Sequence, residues 1–250
     1  MKVQSLSRTF DILELLSKEQ KGLALTDISK SVELHKSTVY RLLSALMERG
    51  YIEKRDSRYK LGLEFVELCS LYLNSLELKT EAEPILRKLS SQTSQTVYMA
   101  ILQQREIVYI DKVENFNSIR KYSIIGQRRP LYCTSLGKSF LMGMADEEIR
   151  KLLAEETFEQ RTYKTHKDVE SLIKDLEVCR QRGWGFDDEE WDLNVQCVGA
   201  PIQDYRGVTI AAVSTVWQRN QQAEQDTGKI AEVVMECAAE ISHRMGSTRF

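Results

Sequence analysis

The 250-residue sequence has little proline, little glycine and no long apolar run. Its 3 prolines and 12 glycines are too few to suggest a long disordered tract. No stretch approaches the roughly 18 consecutive apolar residues of a membrane span, and the first residues lack the apolar core of a secretory signal. We therefore expect a cytoplasmic protein without a membrane partner, and the length is sufficient for two domains.

The spacings that metal sites and common catalytic motifs require are also missing. The 5 cysteines are far apart, no two of them form a CxxC pair, and none of the 3 histidines lies at zinc-ligand spacing from a cysteine. The sequence contains no Gly-x-Ser-x-Gly motif and suggests no nucleophile–base pair. We therefore predict no metal, no cofactor and no catalytic residue, so that an enzyme is the least favoured class.

Positive charge is concentrated in one short segment. The formal net charge of the chain is -2, yet residues 36–60 contain seven basic and three acidic residues. A local basic patch on an acidic protein indicates a confined contact with phosphates, although a solvated helix face has a similar composition.

Residues 4–49 predict three helices, the last two joined by a tight turn. The first covers residues 4–18, with an apolar stripe of Leu6, Phe10, Leu13 and Leu16. Thr26 resembles an N-cap for a short helix, and Gly50 resembles the residue that ends a longer one. In a helix-turn-helix the second helix enters the major groove with its first residues against the base edges. The predicted contacts of this helix are Lys36, Ser37, Thr38, Tyr40 and Arg41.

A basic hairpin follows this helix. Residues 51–54 and 58–61 predict two short strands, with Asp56 and Ser57 in the turn. Basic residues on such a wing can approach the minor groove or the flanking phosphates. The predicted wing contacts are Lys54, Arg55, Arg58 and Lys60. The alternative is a small three-helix domain with an incidental hairpin that binds no nucleic acid.

Four runs in this region resemble the IclR family of bacterial transcription regulators. They are residues 3–16, 25–28 (LTDI), 36–43 (KSTVYRLL) and 59–62 (YKLG). The resemblance implies a winged helix-turn-helix domain over residues 1–62 and double-stranded DNA as the partner.

Residues 63–78 predict a linker helix with apolar side chains on more than one face. A helix of this kind is buried on more than one side. In the family that the chain resembles, this helix helps to pair two subunits, which implies a homodimer or a dimer of dimers on a palindromic operator. The alternative is burial within one subunit.

The remaining residues, 79–250, predict an α+β domain. Residues 96–102 and 107–113 predict one hairpin, and residues 195–202 and 208–216 predict another, with a third strand near 121–125. Helices are predicted at residues 79–91, 135–143, 146–155, 166–182 and 222–244. This order favours an antiparallel sheet covered by helices.

Three further runs resemble the effector-binding domain of the same family, which is similar to the GAF sensory fold. They are residues 126–138, 183–190 and 196–201. The resemblance implies that residues 79–250 bind a small acidic effector. Residues 128–133 resemble those of family members that sense sugar acids such as 2-keto-3-deoxygluconate.

A carboxylate site is predicted where a helix begins after an extended segment. The hydroxyls of Thr134 and Ser135, the first N–H groups of the helix and the nearby Arg128 and Arg129 could all bind an anion. The alternative is an ordinary N-cap with surface arginines. The resemblance implies an effector pocket of Ser135, Leu136, Asp187, Cys197 and Ser214, whereas simple sheet packing is the alternative for Cys197 and Ser214. The family often has a second serine where this chain has Val216, and glycine where it has Asn194.

Together these features predict a DNA-binding transcription regulator that an acidic metabolite controls allosterically, and they favour a repressor over an activator. One alternative is a ligand sensor that acts through protein partners without contacting DNA. The other is an enzyme.

Overall fold

A computed structural model describes residues 3–19, 21–74, 77–114, 125–219 and 226–248, with the backbone alone for residues 70 and 72–74. The chain divides into two compact units, Met1–Ser75 and Leu76–Phe250. None of the helices within the described ranges is long and apolar enough to cross a membrane.

The first unit contains a three-helix core, a small sheet and a further helix. Its elements are α1 (Gln4–Ser17), β1 (Leu23–Ala24), α2 (Leu25–Ser31), α3 (Lys36–Glu48), β2 (Ile52–Arg55), β3 (Arg58–Leu61) and α4 (Glu64–Asn74). The sheet order is β1-β3-β2, and both pairs are antiparallel. Asp56 and Ser57 both have positive φ, as expected for a two-residue hairpin turn that follows the twist of its strands.

An entirely apolar cluster holds the first unit together. Its buried members are Ile12, Leu16, Ile28, Val39, Leu43, Ile52 and Tyr59. The stripe predicted for α1 was wrong in its first half, because Leu6 and Phe10 are each 53% exposed and Ile12 takes the buried position. Strand β1 was not predicted, since two residues are too short for a strand pattern.

The boundaries of the helix-turn-helix differ from the prediction at one end. Helix α2 begins at Leu25 after an extended Ala24 that has no side-chain cap, so the assignment of Thr26 as its N-cap was wrong. Helix α3 ends where predicted, since Gly50 has a positive φ of 76°. His35 precedes α3 and caps it, because its Nδ1 accepts a hydrogen bond from the Ser37 N–H at 3.4 Å.

The second unit is built on a six-stranded antiparallel sheet. Its elements are α5 (Glu77–Thr93), β4 (Thr96–Gln103), β5 (Glu106–Val113), β6 (Arg128–Pro130), α6 (Ser135–Leu141), α7 (Asp146–Leu152), α8 (Val169–Arg182), β7 (Gly185–Asp188), β8 (Val195–Gln203), β9 (Thr209–Gln218) and α9 (Thr227–Arg244). The strand order is β6-β5-β4-β9-β8-β7. The predicted α+β class with an antiparallel sheet is confirmed.

Helices cover both faces of this sheet. Five successive residues of β4, from Thr96 to Ala100, are buried, which requires cover on each side. Helix α6 contacts β7, β8 and β9 on one face, whereas α5 and α9 contact each other and the strands from the other.

Two glycines set the distance between α6 and the sheet. A Cβ atom at Gly185 would lie 2.6 Å from the Ser135 carbonyl oxygen, and one at Gly199 would lie 2.9 Å from it. Neither position has room for a side chain, so the backbone of α6 rests directly on strands β7 and β8.

Several elements of this unit differ in position from the prediction. The third strand expected near residues 121–125 falls almost entirely outside the described residues, and the described edge strand is β6. Helix α8 begins at Val169 rather than near His166, because Asp168 caps it by accepting a hydrogen bond from the Ser171 N–H at 2.7 Å.

Candidate DNA interface and effector site

The first turn of α3 is polar and exposed on one side of the helix. Lys36, Ser37, Tyr40 and Arg41 are exposed and Thr38 is half-buried. Val39 and Leu43 on the opposite side are fully buried in the apolar cluster. The cluster therefore orients α3 so that all five predicted contact residues lie at or near the surface.

The basic residues of the wing are not equivalent. Lys54 is exposed and lies over the Tyr59 ring, 5.2 Å from its centroid. Lys60 and Arg55 both pair with Glu53, at 2.8 Å and 3.3 Å. Arg58 donates a hydrogen bond to the Gly22 carbonyl at 2.9 Å, which ties the wing to the turn before β1. Part of the predicted cationic surface is therefore internally compensated.

Thr134 is a structural cap for α6. Its hydroxyl accepts a hydrogen bond from the Gly137 N–H at 3.1 Å and donates one to the Pro130 carbonyl at 3.1 Å. Because both functions of the hydroxyl are used, the capping alternative describes Thr134 better than a ligand contact does. Ser135 and Leu136 follow it, and both are buried.

The sheet brings the other predicted effector residues onto one face. Asp187 lies opposite Cys197, Cys197 lies opposite Val216, and Gly199 lies opposite Ser214. Because directly opposed and alternate residues of an antiparallel sheet share a face, Asp187, Cys197 and Ser214 point to the side that α6 covers.

Tyr98 and Tyr109 lie on the same face and were not predicted from the sequence. Tyr98 pairs with Ser214, and the two tyrosine rings are 5.1 Å apart. Both belong to the apolar cluster that contains Leu136. Burial raises the pKa of Tyr109, while Cys197 raises it further and Arg129 lowers it, which places these groups near one another.

Asp187 is a buried carboxyl with a raised pKa. Burial, followed by the Glu190 carboxylate, raises the pKa of Asp187 to about 8. Its Oδ1 accepts hydrogen bonds from the N–H groups of Glu190, at 2.8 Å, and Trp191, at 3.4 Å. A protonated Asp187 can donate a hydrogen bond to an acidic ligand without repelling it. Burial and the Asp187 carboxyl both raise the pKa of the Cys197 thiol, so this thiol stays neutral.

Arg129 extends from the edge strand towards this region. It pairs with Ile107 in the β5–β6 ladder, and its guanidinium carbon lies 4.4 Å from the centroid of the Trp191 ring. The guanidinium carbon of Arg161 lies 3.6 Å from the same centroid. Neither Trp191 nor Arg161 was predicted, because both lie in irregular segments that have no periodic pattern.

A buried ionic cluster lies next to Asp187. The side chain of Lys138 is fully buried and pairs with Asp175 at 2.6 Å and Glu190 at 2.5 Å. Although burial opposes the charge, Glu190 and Asp175 hold the pKa of Lys138 above its ordinary value. His166, Asp175 and Glu190 offer ligand atoms within 4.8 Å of one another, yet the Lys138 ammonium already supplies the cation between the two carboxylates.

Two family models match the chain in order. One, the IclR helix-turn-helix domain, matches residues 5–56, and the other, the bacterial transcriptional regulator IclR C-terminal domain, matches residues 70–243. The HTH-type transcriptional regulator KdgR of Dickeya chrysanthemi is 33% identical over 246 residues, which cover 98% of this chain and 80% of that protein. The transcriptional repressor IclR of Escherichia coli K12 is 30% identical over 99% of this chain and 92% of its own length.

Solved structures agree with the sequence matches. The crystal structure of IclR from Thermotoga maritima has a TM-score of 0.83 and 30% identity, and the match covers 98% of this chain and all of that one. These relatives are regulators of transcription, which confirms that the chain is not an enzyme and that it is a DNA-binding regulator with an effector-binding domain. The chain belongs to the IclR family of bacterial transcription regulators.

Proposed function

We propose that the chain is a repressor that binds a palindromic operator through α3 and the wing. The observation that supports this most directly is the exposed polar first turn of α3 above a fully buried Val39 and Leu43. We assign DNA binding to residues 1–62, pairing to residues 63–78 and effector sensing to residues 79–250. Because such a regulator acts on the chromosome, we place it in the cytoplasm.

The test compares two arginines of the same helix. Arg41 lies in the part of α3 that would face the bases, whereas Arg49 lies at its C-terminal end and donates to the Ala45 carbonyl at 3.3 Å. We expect Arg41→Ala to weaken binding to the protein's own promoter fragment by about 1–3 kcal/mol and Arg49→Ala to change it little. Fluorescence anisotropy against promoter and random duplexes measures this. Equal affinity of the wild type for both duplexes would contradict the proposal and favour a sensor that acts through protein partners.

We also propose that two copies pair through the first unit. Exposed large apolar residues are frequent in α1 and around α4. They are Val3, Leu6, Phe10, Leu63, Val66, Leu68 and Leu71. Pairing in a homodimer, or in a dimer of dimers, would bury them and present two α3 helices to half-sites one or more helical turns apart.

Sedimentation velocity of two charge variants tests the pairing. Val66→Glu places a charge on α4, and Val178→Glu places the same charge on α8, where the valine is 48% exposed. We expect Val66→Glu to lower the association state and Val178→Glu to leave it unchanged. An unchanged association state in both variants would argue against this surface.

The effector that we propose is a small keto or sugar acid, with 2-keto-3-deoxygluconate as one candidate. Ser135, Leu136, Asp187, Cys197 and Ser214 would surround it, and a protonated Asp187 would donate to its carboxylate. Arg129 would supply positive charge nearby. Binding would change operator affinity, and linkage requires operator to change effector affinity by the same factor.

Calorimetric titration of each candidate acid, with and without promoter DNA, tests this coupling. A matching change of affinity in both directions is expected. Identical acid affinities with and without DNA would exclude allosteric control by that acid.

A further inference from the structure

One indole ring holds two guanidinium groups beside Asp187. The guanidinium carbons of Arg129 and Arg161 lie 4.4 Å and 3.6 Å from the Trp191 ring centroid. The backbone N–H of Trp191 donates to Asp187 Oδ1 at 3.4 Å, and the Trp191 side chain packs against the cluster that contains Tyr109 and Leu136. The two cations therefore lie next to the residues assigned to the effector.

The segment that carries Arg161 is fastened to the segment that carries Trp191. The buried hydroxyl of Thr162 donates to the Glu189 carbonyl at 2.7 Å, and that of Thr165 donates to the Glu190 carbonyl at 2.7 Å. The Tyr132 hydroxyl donates to the Glu159 carbonyl at 3.2 Å from the other side. These bonds fix the approach of Arg161 to Trp191, so the arrangement is a constructed site rather than a chance contact of surface chains.

The charges of this pair are poorly compensated. Across the described ranges, Arg129 forms one hydrogen bond, to the Arg128 carbonyl at 3.4 Å, and no salt bridge. Arg161 pairs with Glu159 at 3.4 Å, but the Glu159 side chain is 70% exposed, and such pairs contribute little. A guanidinium that stacks through its face keeps its N–H donors at the edge, where they can bind a carboxylate or phosphate. An anion that contacted both guanidinium groups would be attracted by both positive charges.

We propose that Arg129 and Arg161, positioned by Trp191, bind a second anionic group of the effector. The effector is then a small acid with two anionic groups, and its first carboxylate lies against Ser135 and Asp187. This inference rests on the proposed effector site. It ranks dianionic acids above acids such as 2-keto-3-deoxygluconate, which has one carboxylate.

A pair of five-carbon acids tests the contribution of the second anionic group to binding. 2-Oxoglutarate and 2-oxopentanoate share the 2-oxo acid end and differ in the distal carboxylate. Calorimetric titration of the full-length protein should give 2-oxoglutarate an affinity higher by about tenfold or more, the effect of one charge-assisted contact. A parallel titration with 3-phosphoglycerate distinguishes phosphate from carboxylate as the second group.

Three glutamine variants test which arginines cause the preference for 2-oxoglutarate over 2-oxopentanoate. Arg129→Gln and Arg161→Gln should remove most of the preference by weakening 2-oxoglutarate and leaving 2-oxopentanoate unchanged. Arg128→Gln is the matched control, because Arg128 is the neighbour of Arg129 and is already paired with Glu106 at 3.3 Å. This variant should keep the preference.

Three results would overturn the inference. Equal affinity of the wild type for the two oxo acids would do so while leaving the proposed acid sensor intact, and this measurement needs no variant to fold. If Arg161→Gln lost affinity for both acids equally, Arg161 would have a structural role. Failure of the wild type to bind any of the three probes would exclude this class of effector, while promoter binding would still test the proposed regulator independently.

Discussion

The two units place their charged residues in opposite ways. In the first unit the buried cluster is wholly apolar, and its predicted DNA-contact cations lie at the surface or half-exposed. In the second unit Lys138, Asp187 and Glu190 are buried among hydrogen bonds. A surface that binds phosphates works through exposed cations that displace counterions, whereas a pocket for a small acid requires fixed polar groups in a region of low dielectric.

The strongest test of this contrast is removal of the buried cation. Lys138→Met removes the ammonium that lies between Asp175 and Glu190, and we expect a loss of about 3–5 kcal/mol in the free energy of unfolding. Urea unfolding followed by tryptophan fluorescence measures it, because Trp184, Trp191 and Trp217 all lie in the second unit. The control is Lys88→Met, whose lysine is 61% exposed and pairs with Glu240, and which should cost less than about 1 kcal/mol. Similar losses in the two variants would contradict the contrast.

A pH series tests the buried carboxyl. The pKa of Asp187 is raised to about 8 in the folded protein, whereas its ordinary value of 3.8 applies to the unfolded chain. The unfolded chain therefore holds fewer protons between these values, so this group makes stability fall as pH rises from about 4 to about 8. Its share of the slope is at most about 1.4 kcal/mol per pH unit.

Asp187→Asn keeps an oxygen for the N–H groups of Glu190 and Trp191 but cannot titrate. Urea unfolding at several pH values from 5 to 8 should show a shallower fall in this variant than in the wild type. Parallel curves for the two proteins would show that Asp187 is ionised in the folded state.

Removal of a helix cap should have a smaller effect on the free energy of unfolding. Helices α1 and α2 of the first unit begin without a side-chain cap, whereas Thr134 caps α6. Thr134→Ala should lower the free energy of unfolding by about 1 kcal/mol, and Thr134→Ser, which keeps the hydroxyl, should restore most of it. Equal losses from alanine and serine would mean that the methyl group, and not the cap, is responsible.

The smallest effect is expected from a substitution in the wing, where the affinity for DNA should change. Glu53 pairs with Lys60 and Arg55, and its hydrogen bond from Lys60 lowers the pKa of this carboxyl. Glu53→Gln should release both cations and raise the affinity for random duplex DNA by a few fold. The salt dependence should steepen by up to about 0.9 for each cation that reaches a phosphate.

Glu48→Gln makes the same change of net charge at the exposed end of α3. Anisotropy at several salt concentrations should show a smaller effect for Glu48→Gln than for Glu53→Gln. Equal effects would mean that net charge alone accounts for the change.

Local patterns were enough to predict the helices and the hairpin of the first unit, although not the two-residue strand β1. The spacing of Val39 and Leu43, the turn at Asp56 and Ser57, and the position of Gly50 each depend on a few neighbouring residues. The error at Leu6 and Phe10 has a different origin. A stripe identifies apolar residues without indicating whether the same chain covers them.

The residues of the proposed effector site could be predicted only in part. Asp187, Cys197 and Ser214 were found through family resemblance, and the strand register then placed them on one face. Arg161 and Trp191 meet through hydrogen bonds between two irregular segments, which no periodicity records. Lys138 looks like a surface lysine in sequence, and only its contact with carboxylates 37 and 52 residues away explains its burial.

The close approach of α6 to Gly185 and Gly199 also limits how the proposed effector site can vary. Main-chain atoms of α6 meet the sheet there, so exchanging one side chain for another cannot change the distance between them. A Cβ atom at residue 199 would lie 2.9 Å from the Ser135 carbonyl oxygen, so a change from glycine to alanine would push α6 away from β8. If the effector binds on this face, as proposed, a change in effector size must come from side chains such as Arg129, Arg161 and Trp191.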